Sequence, residues 1–259
     1  MYRVSVIGAG KVGWRLAQAL ENAGHYIEEI WSRKPDNAAR LVDHLYNARA
    51  QESLDFSSSR AEIFLLAVTD TAAPDVAASL MLPAGALLAH TSGSLSMEIL
   101  AQAANQYGVF YPLQTFSKER VVDLSEVPFC LEANDKQALS VLKKLAGSLS
   151  RQVYELDAAK RKVLHVAAVF ACNFTNHLLH ISEEILEDGG LDTQLLYPLV
   201  METIHKSMEL GPTQAQTGPA VRDDHQVMDA HLQQLEEEPE WAELYYLLSR
   251  DIIRRHRQE

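Results

Sequence analysis

Short apolar runs alternate with amphipathic stretches over the first 156 residues. Runs at 3–7, 27–31, 63–68, 86–89, 109–111, 129–132 and 152–156 have strand length and composition. The run 63–68 is apolar throughout, as expected of a central parallel strand buried on both faces. Between the runs, 11–23 places Val12, Leu16, Ala19, Leu20 and Ala23 on one helical face, with Gly24 as a stop. Segments 37–46, 97–107 and 135–149 also have helical periodicity, with Leu41, Val42 and Leu45 inward on the first and Ser94 or Ser96 as a cap for the second. Strand and helix alternating at this pitch predict an α/β fold with a doubly wound Rossmann-type sheet.

The pattern changes after residue 156. From 158 to 187 there is neither glycine nor proline, and Leu164, Ala168, Phe170, Ala171, Phe174, Leu178, Ile181 and Ile185 cover more than one helical face. One long helix buried on several sides is expected, stopped by Gly189 and Gly190. Further helices are expected at 193–208, 224–235 and 240–255, with a loop over 211–219. The chain thus divides into an α/β domain, 1–156, and a smaller all-α domain, 157–259.

Charge and composition narrow the function. The net charge of −12 argues against a nucleic-acid partner, which needs a basic face. Cys130 and Cys172 are far apart without metal-ligand spacing, and are expected as buried thiols in a reducing compartment. Ten histidines include no H-E-x-x-H, no serine elbow follows a strand, and no metal site is expected. No apolar run reaches membrane-spanning length, and no signal-peptide pattern opens the chain, so a cytoplasmic protein is expected.

The sharpest motif is Gly8-Ala9-Gly10-Lys11-Val12-Gly13, a G-x-G-x-x-G between a strand and a helix. The first glycine permits the turn, the second lets backbone approach a pyrophosphate, and the third lets helix and sheet pack closely. At the end of the second strand an NAD site usually carries an acidic residue for the ribose hydroxyl. Here stand Ser32, Arg33 and Lys34, which suit the 2′-phosphate of NADP, while Glu28 and Glu29 lie too early in the strand. Ligands in open α/β sheets lie beyond the carboxyl ends of the strands. Ala67, Val68 and Thr69 close the central strand, and His90, Thr91 and Ser92 close the next, so these are candidate cofactor contacts. The segment from Thr91 to Ser94 reads equally well as a turn with a helix cap.

In the helical half, His165 and Asn176 are eleven residues apart and share a face of a regular helix. His180 lies one turn further, and Asn173 and His177 form a neighbouring pair. Polar groups inside a buried helix need partners, and two explanations are open: a stripe that holds substrate and relays a proton, or hydrogen bonds within the core. Glu202 and Lys206 have the spacing of an ordinary helix ion pair, yet Lys206 could also hold a carboxylate or protonate an alkoxide. Gln216, Thr217 and Arg222 are candidate substrate contacts, with Arg222 alternatively paired to Asp223 or Asp224. The candidate catalytic set is His165 as acid/base with Asn176 and Lys206, and the candidate substrate set is Asn173, Gln216, Thr217 and Arg222.

The glycine loop, Ser32-Arg33, His90-Thr91-Ser92-Gly93-Ser94, Tyr111-Pro112-Leu113-Gln114-Thr115-Phe116, the segment 165–184 and Ala215-Gln216-Thr217-Gly218-Pro219-Ala220-Val221-Arg222 form one set. Together they resemble, along essentially the whole chain, a bacterial family with a Rossmann-like NADP-binding domain fused to a helical domain of unknown function. That family is similar to pyrroline-carboxylate reductase, ketopantoate reductase and the β-hydroxyacid dehydrogenases. The resemblance implies an oxidoreductase, and those relatives place substrate in a cleft between domains; together with the residues above, an NADP-dependent reductase is expected, transferring hydride to a C=O or C=N group of a small, anionic metabolite. The resemblance also implies a homodimer formed through the helical domain. The β-hydroxyacid dehydrogenases carry a lysine and an asparagine one helical turn apart. Here Lys162 and Asn173 are eleven residues apart, so that catalytic pair does not carry over. A non-catalytic NADP-binding sensor or scaffold is the alternative, and a deazaflavin-linked reductase a third.

Overall fold

The computed structural model describes residues 1–117 and 120–257. By compactness the chain forms two units, Met1–Cys172 and Asn173–Glu259.

The first unit is built on one eight-stranded sheet, ordered β3-β2-β1-β4-β5-β6-β7-β8. The strands are β1 (Arg3–Ile7), β2 (Tyr26–Trp31), β3 (Arg49–Gln51), β4 (Ile63–Leu66), β5 (Leu87–His90), β6 (Gln106–Pro112), β7 (Phe129–Ala133) and β8 (Val153–Glu155). All neighbours pair in parallel except β6 and β7, which are antiparallel from Gly108↔Ala133 to Pro112↔Phe129. The helices of this unit are α1 (Lys11–Asn22), α2 (Pro35–Val42), α3 (Ala73–Ala78), α4 (Lys136–Gly147) and α5 (Ala158–Ala168). The strand order reverses between β1 and β4, which opens a crevice at their carboxyl ends.

The period of two along each strand sorts the core. Val4, Val6, Ile63, Leu65, Leu87 and Ala89 pack into one hydrophobic cluster, and Ile7, Phe64, Leu66 and Leu88 into another. All four residues of β4 are buried, as its unbroken apolar run requires. Each such side chain contributes about 1.5–3 kcal/mol, so a one-residue slip would exchange the two clusters at heavy cost.

Several elements differ from expectation. Only Met97–Leu100 of the segment 97–107 is helical, as a single 3₁₀ turn capped by Ser96. The chain beyond it has few large apolar residues, and β5 claims it from Gln106 onward. The helix expected over 37–46 is α2, which starts at Pro35, a favourable first position, and ends at Val42. β3 and α3 carry weak periodicity and were not expected from it.

The helix expected over 158–187 runs without a gap to Asp188, but not as one regular α-helix: α5 is followed by π turns over Val169–Phe174 and then α6 (Thr175–Asp188). Nor is it buried on several sides: Phe170 is 66% and Phe174 47% exposed, with Leu178 and Ile185 also exposed. Cys172 is exposed as well, whereas Cys130 in β7 is buried. The second unit continues with a 3₁₀ turn at Thr193–Leu196, then α7 (Tyr197–Leu210), α8 (Pro212–Ala215), α9 (His225–Gln234) and α10 (Pro239–His256). α8 occupies part of the segment expected as loop. Among the described residues no helix is long and apolar enough to cross a membrane.

Candidate functional site

A cleft of about 580 Å³ opens at the crevice between β1 and β4. Its size falls in the range of small-molecule sites. Gly8, Ala9, Gly10, Lys11 and Val12 form one wall, and Ser32, Arg33 and Lys34 another. Ala67, Val68, Thr69 and Asp70, then Thr91, Ser92, Gly93, Tyr111 and His165, complete the lining.

The glycines of the loop have separable roles. Gly8 has φ 120°, and a Cβ there would lie 2.3 Å from the Ala67 carbonyl oxygen. A Cβ on Gly13 would lie 1.9 Å from the Gly8 carbonyl oxygen, so only glycine lets α1 sit this close to the turn. Gly10 is different: its nearest neighbour would be 4.0 Å away, so the space over it is open to a ligand. Gly10 caps α1 without a side-chain hydrogen bond. The first amides of α1 lack intrahelical acceptors and, with the helix dipole, favour an anion.

At the second strand end, Arg33 and Lys34 are exposed and form no ion pair among the described residues. The acidic residues of β2 are engaged elsewhere. Glu28 pairs with Arg3 and Arg60, and the buried Glu29 pairs with Arg49 at 2.7 Å and accepts a hydrogen bond from Ser59 at 2.7 Å. The cleft therefore holds two free cations and no free carboxylate from β2, which fits a 2′-phosphate better than a bare ribose.

The β5 end is both a capped turn and a wall of the cleft. The Ser92 hydroxyl donates to Asp70 at 2.9 Å and accepts from the backbone N–H groups of Ser94 and Leu95, each at 3.1 Å. The Ser94 hydroxyl also bonds Asp70. His90, expected at the cleft, is not part of its wall. It is 1% exposed beneath the loop, because its strand position points inward. Its Nδ1 accepts the Ser92 N–H at 3.2 Å, leaving Nε2 buried without a partner. Burial foremost, and then the Arg161 charge, lower its pKa to about 4.

His165 reaches the cleft from α5. Asp157 caps this helix through the Lys160 N–H at 2.8 Å. One turn before His165, the fully buried Arg161 bonds both Glu132 of β7 and the Leu95 carbonyl. Glu132 also accepts the Ala158 N–H at 3.2 Å, so one carboxylate fixes two points on the first turn of α5. The ring of His165 meets Tyr111 edge-on, with Nδ1 3.1 Å from the tyrosine hydroxyl. Burial is the main cause that pushes the Tyr111 pKa up to about 12, so its hydroxyl stays protonated at physiological pH. Tyr111 was not among the residues singled out as a site candidate. The rule that flagged Thr69 and Thr91, position at the carboxyl end of a strand, applies equally to it. Inside an apolar strand, however, an aromatic reads first as core.

The remaining candidates belong to the second unit or its boundary. Asn173, Asn176, His177 and His180 are all exposed, so the expected burial cost that singled them out does not arise. The π turns over Val169–Phe174 also remove the uniform turn on which His165 and Asn176 would share a face. Glu202 and Lys206 form no ion pair among the described residues, despite their spacing. Gln216, Thr217 and Arg222 are exposed. Arg222 does not pair with Asp223, which binds Arg257 and His225, nor with Asp224, which caps α9 through the Val227 N–H at 3.3 Å.

A largely parallel sheet carrying a glycine turn and a helix N-terminus at its switch point defines a domain of Rossmann type. Residues 1–115 match the Rossmann-like domain family, and residues 127–252 match DUF2520, a domain of unknown function. The chain is 38% identical to a Bacteroides fragilis protein named as a putative NADP oxidoreductase, with 98% of each chain covered and a TM-score of 0.92. It belongs to the same family as that protein, a Rossmann-like domain followed by a DUF2520 domain. The fold is also that of an Aspergillus terreus reductive aminase solved with NADPH and ethyl-5-oxohexanoate, at 14% identity, TM-score 0.76, and coverage of 100% of this chain and 94% of that one. A Streptococcus pyogenes 1-pyrroline-5-carboxylate reductase is similar in fold at 13% identity and TM-score 0.62, with 100% and 99% of the chains covered. No curated protein matches the chain.

Proposed function

We propose that this protein is an NADP-dependent reductase that delivers hydride to a C=O or C=N carbon of a small, anionic metabolite. The observation that carries this is the convergence of the glycine loop, Arg33, Lys34, Tyr111 and His165 on one cleft. NADPH, when bound, supplies the hydride; the protein binds it, orients it and supplies a proton. Gly10 and the first turn of α1 suit the pyrophosphate, and Ser32, Arg33 and Lys34 the 2′-phosphate. His165, in the same lining, is the acid/base. The names of the related proteins support this reading, since they include an NADP oxidoreductase and reductases of C=N bonds.

The test is a fluorescence titration with NADPH and NADH, followed by a screen of 2-oxo acids and cyclic imines for NADPH oxidation. Tight binding of NADPH over NADH with turnover of at least one class is expected. Failure to bind either dinucleotide would refute the proposal.

The proposed working form is a homodimer made through the helical half. Support comes from large apolar side chains left open to solvent: Leu199, Met201, Ile204 and Met208 on α7, and Tyr246, Leu247 and Leu248 on α10. Exposed apolar surface of this density marks an association surface.

A further inference from the structure

Gly93 stands where any side chain would separate Tyr111 from His165. A Cβ at position 93 would lie 2.6 Å from His165 Nδ1 and 2.8 Å from Tyr111 Cζ. Its φ is not positive, so the glycine is required here for space and not for backbone freedom. The loop carrying it is held from both sides. Ser92 is bonded to Asp70, and the Leu95 carbonyl is bonded by Arg161. Arg161 lies one turn before His165 on the same face of α5. Three segments distant in sequence thus converge to leave room for one hydrogen bond, between the Tyr111 hydroxyl and His165 Nδ1, at 3.1 Å.

That bond decides which histidine nitrogen is available. The Tyr111 hydroxyl has no other hydrogen-bond partner among the described residues, so its own proton is satisfied only by donating to Nδ1. A hydroxyl donating to Nδ1 requires the neutral imidazole to carry its proton on Nε2. Nε2 has no protein partner among the described residues. We propose that Tyr111 is a positioning residue that fixes the Nε2–H tautomer of His165, and that Nε2 is the atom exchanging a proton with the substrate, with Gly93 keeping the pair in contact.

This rests on the reductase function proposed above. In the reduction, hydride from the reduced nicotinamide forms the new C–H bond, and the π electrons of the C=O or C=N group move onto its oxygen or nitrogen. That atom takes the proton from Nε2 of the imidazolium. The N–H bond breaks and its electron pair stays on the ring, leaving the neutral Nδ1–H form for the moment; exchange with solvent then adds a proton at Nε2 and removes the one at Nδ1, which restores the resting Nε2–H tautomer. The tyrosine hydroxyl serves each form of the ring, accepting from Nδ1–H where that proton is present and donating to Nδ1 where it is not.

The test is long-range ¹H–¹⁵N NMR of the histidines in the full-length protein, without cofactor or substrate, at a pH where His165 is neutral. His165→Asn assigns the signal. The wild type is expected to show His165 almost wholly as the Nε2–H tautomer. Tyr111→Phe and Gly93→Ala should both move it toward the mixed state of an unpaired histidine, while the other histidine signals report that the fold is intact. If His165 is mixed or Nδ1-protonated in the wild type, or if Tyr111→Phe leaves its tautomer unchanged, the proposal fails. NADPH binding, measured in parallel, separates the two ideas. A wild type that shows the tautomer but binds no dinucleotide would overturn the reductase function and, with it, the role of Nε2.

Discussion

Arg161 and Glu132 form an ion pair in which the guanidinium is wholly buried and the carboxylate also holds the first backbone amide of α5. The pair ties the helix that carries His165 to the sheet that carries Tyr111. Removing one partner of a buried pair leaves the other uncompensated and costs about 3–5 kcal/mol. Arg161→Met is therefore expected to lower unfolding stability by that order, measured by urea denaturation. Glu132→Gln should cost at least as much, because it leaves the wholly buried guanidinium without a counter-charge, even though the amide oxygen can still accept from Ala158.

His90 predicts the direction of a pH effect. Its folded pKa of about 4 lies below the ordinary 6.5, so the unfolded chain binds the extra proton first. Stability from this group is complete above 6.5 and is lost as pH falls toward 4, by roughly 3 kcal/mol in all. His90→Asn retains an acceptor for the Ser92 N–H and removes the titration. Its stability should fall less steeply than that of wild type between pH 6.5 and 4 in thermal melts. Parallel curves would assign the acid sensitivity elsewhere.

Arg33 and Lys34 should set the choice of dinucleotide. A hydrogen bond to a charged group contributes about 1.5–3 kcal/mol, equivalent to roughly 10–100-fold in affinity. The double variant Arg33→Ala, Lys34→Ala is expected to weaken NADPH binding by that factor and leave NADH binding nearly unchanged. Equal loss for both dinucleotides would place the 2′-phosphate away from these cations.

Gly13→Ala should damage binding without touching ligand. The added methyl collides with the Gly8 carbonyl, a backbone atom that cannot step aside, so α1 must move off the turn. The expected outcome is loss of NADPH binding with destabilisation of at least about 2 kcal/mol. Gly10→Ala, with open space around it, should fold normally and lose only the ligand.

Ile204→Glu on α7 tests the proposed dimer. A charge on this exposed apolar face costs nothing in an isolated chain but much in a buried interface. Wild type should sediment as a dimer and the variant as a monomer, with unchanged NADPH affinity. A monomeric wild type would refute association through this surface.

The parts of this molecule legible in its sequence are those in which one local force dominates. The glycine loop requires particular backbone space at Gly8 and Gly13, and β4 requires burial on both faces. Elements decided by neighbours were harder to see. The segment after Leu100 has helical composition, but it turns through residues 101–105 and pairs with β5 from Gln106. Nothing in the residues from Val169 to Phe174 marks a π turn, and exposure at Asn173 and Asn176 is a tertiary fact. His165 was legible as a polar residue in an apolar helix. Its partner Tyr111 was not, since only the folded sheet shows a buried aromatic to have one edge on the cleft.

The antiparallel pairing of β6 with β7 bears on how the chain can be divided. The segment matching the Rossmann-like family ends at residue 115, just after β6, and the DUF2520 match begins at 127, just before β7. Those two strands are hydrogen-bonded neighbours in one sheet. A fragment cut between them would leave Val109 and Phe110 on a bare edge, and its other piece would carry two orphan strands. Such edges recruit foreign strands and aggregate. As folding matter, the second matched segment completes the sheet that the first begins.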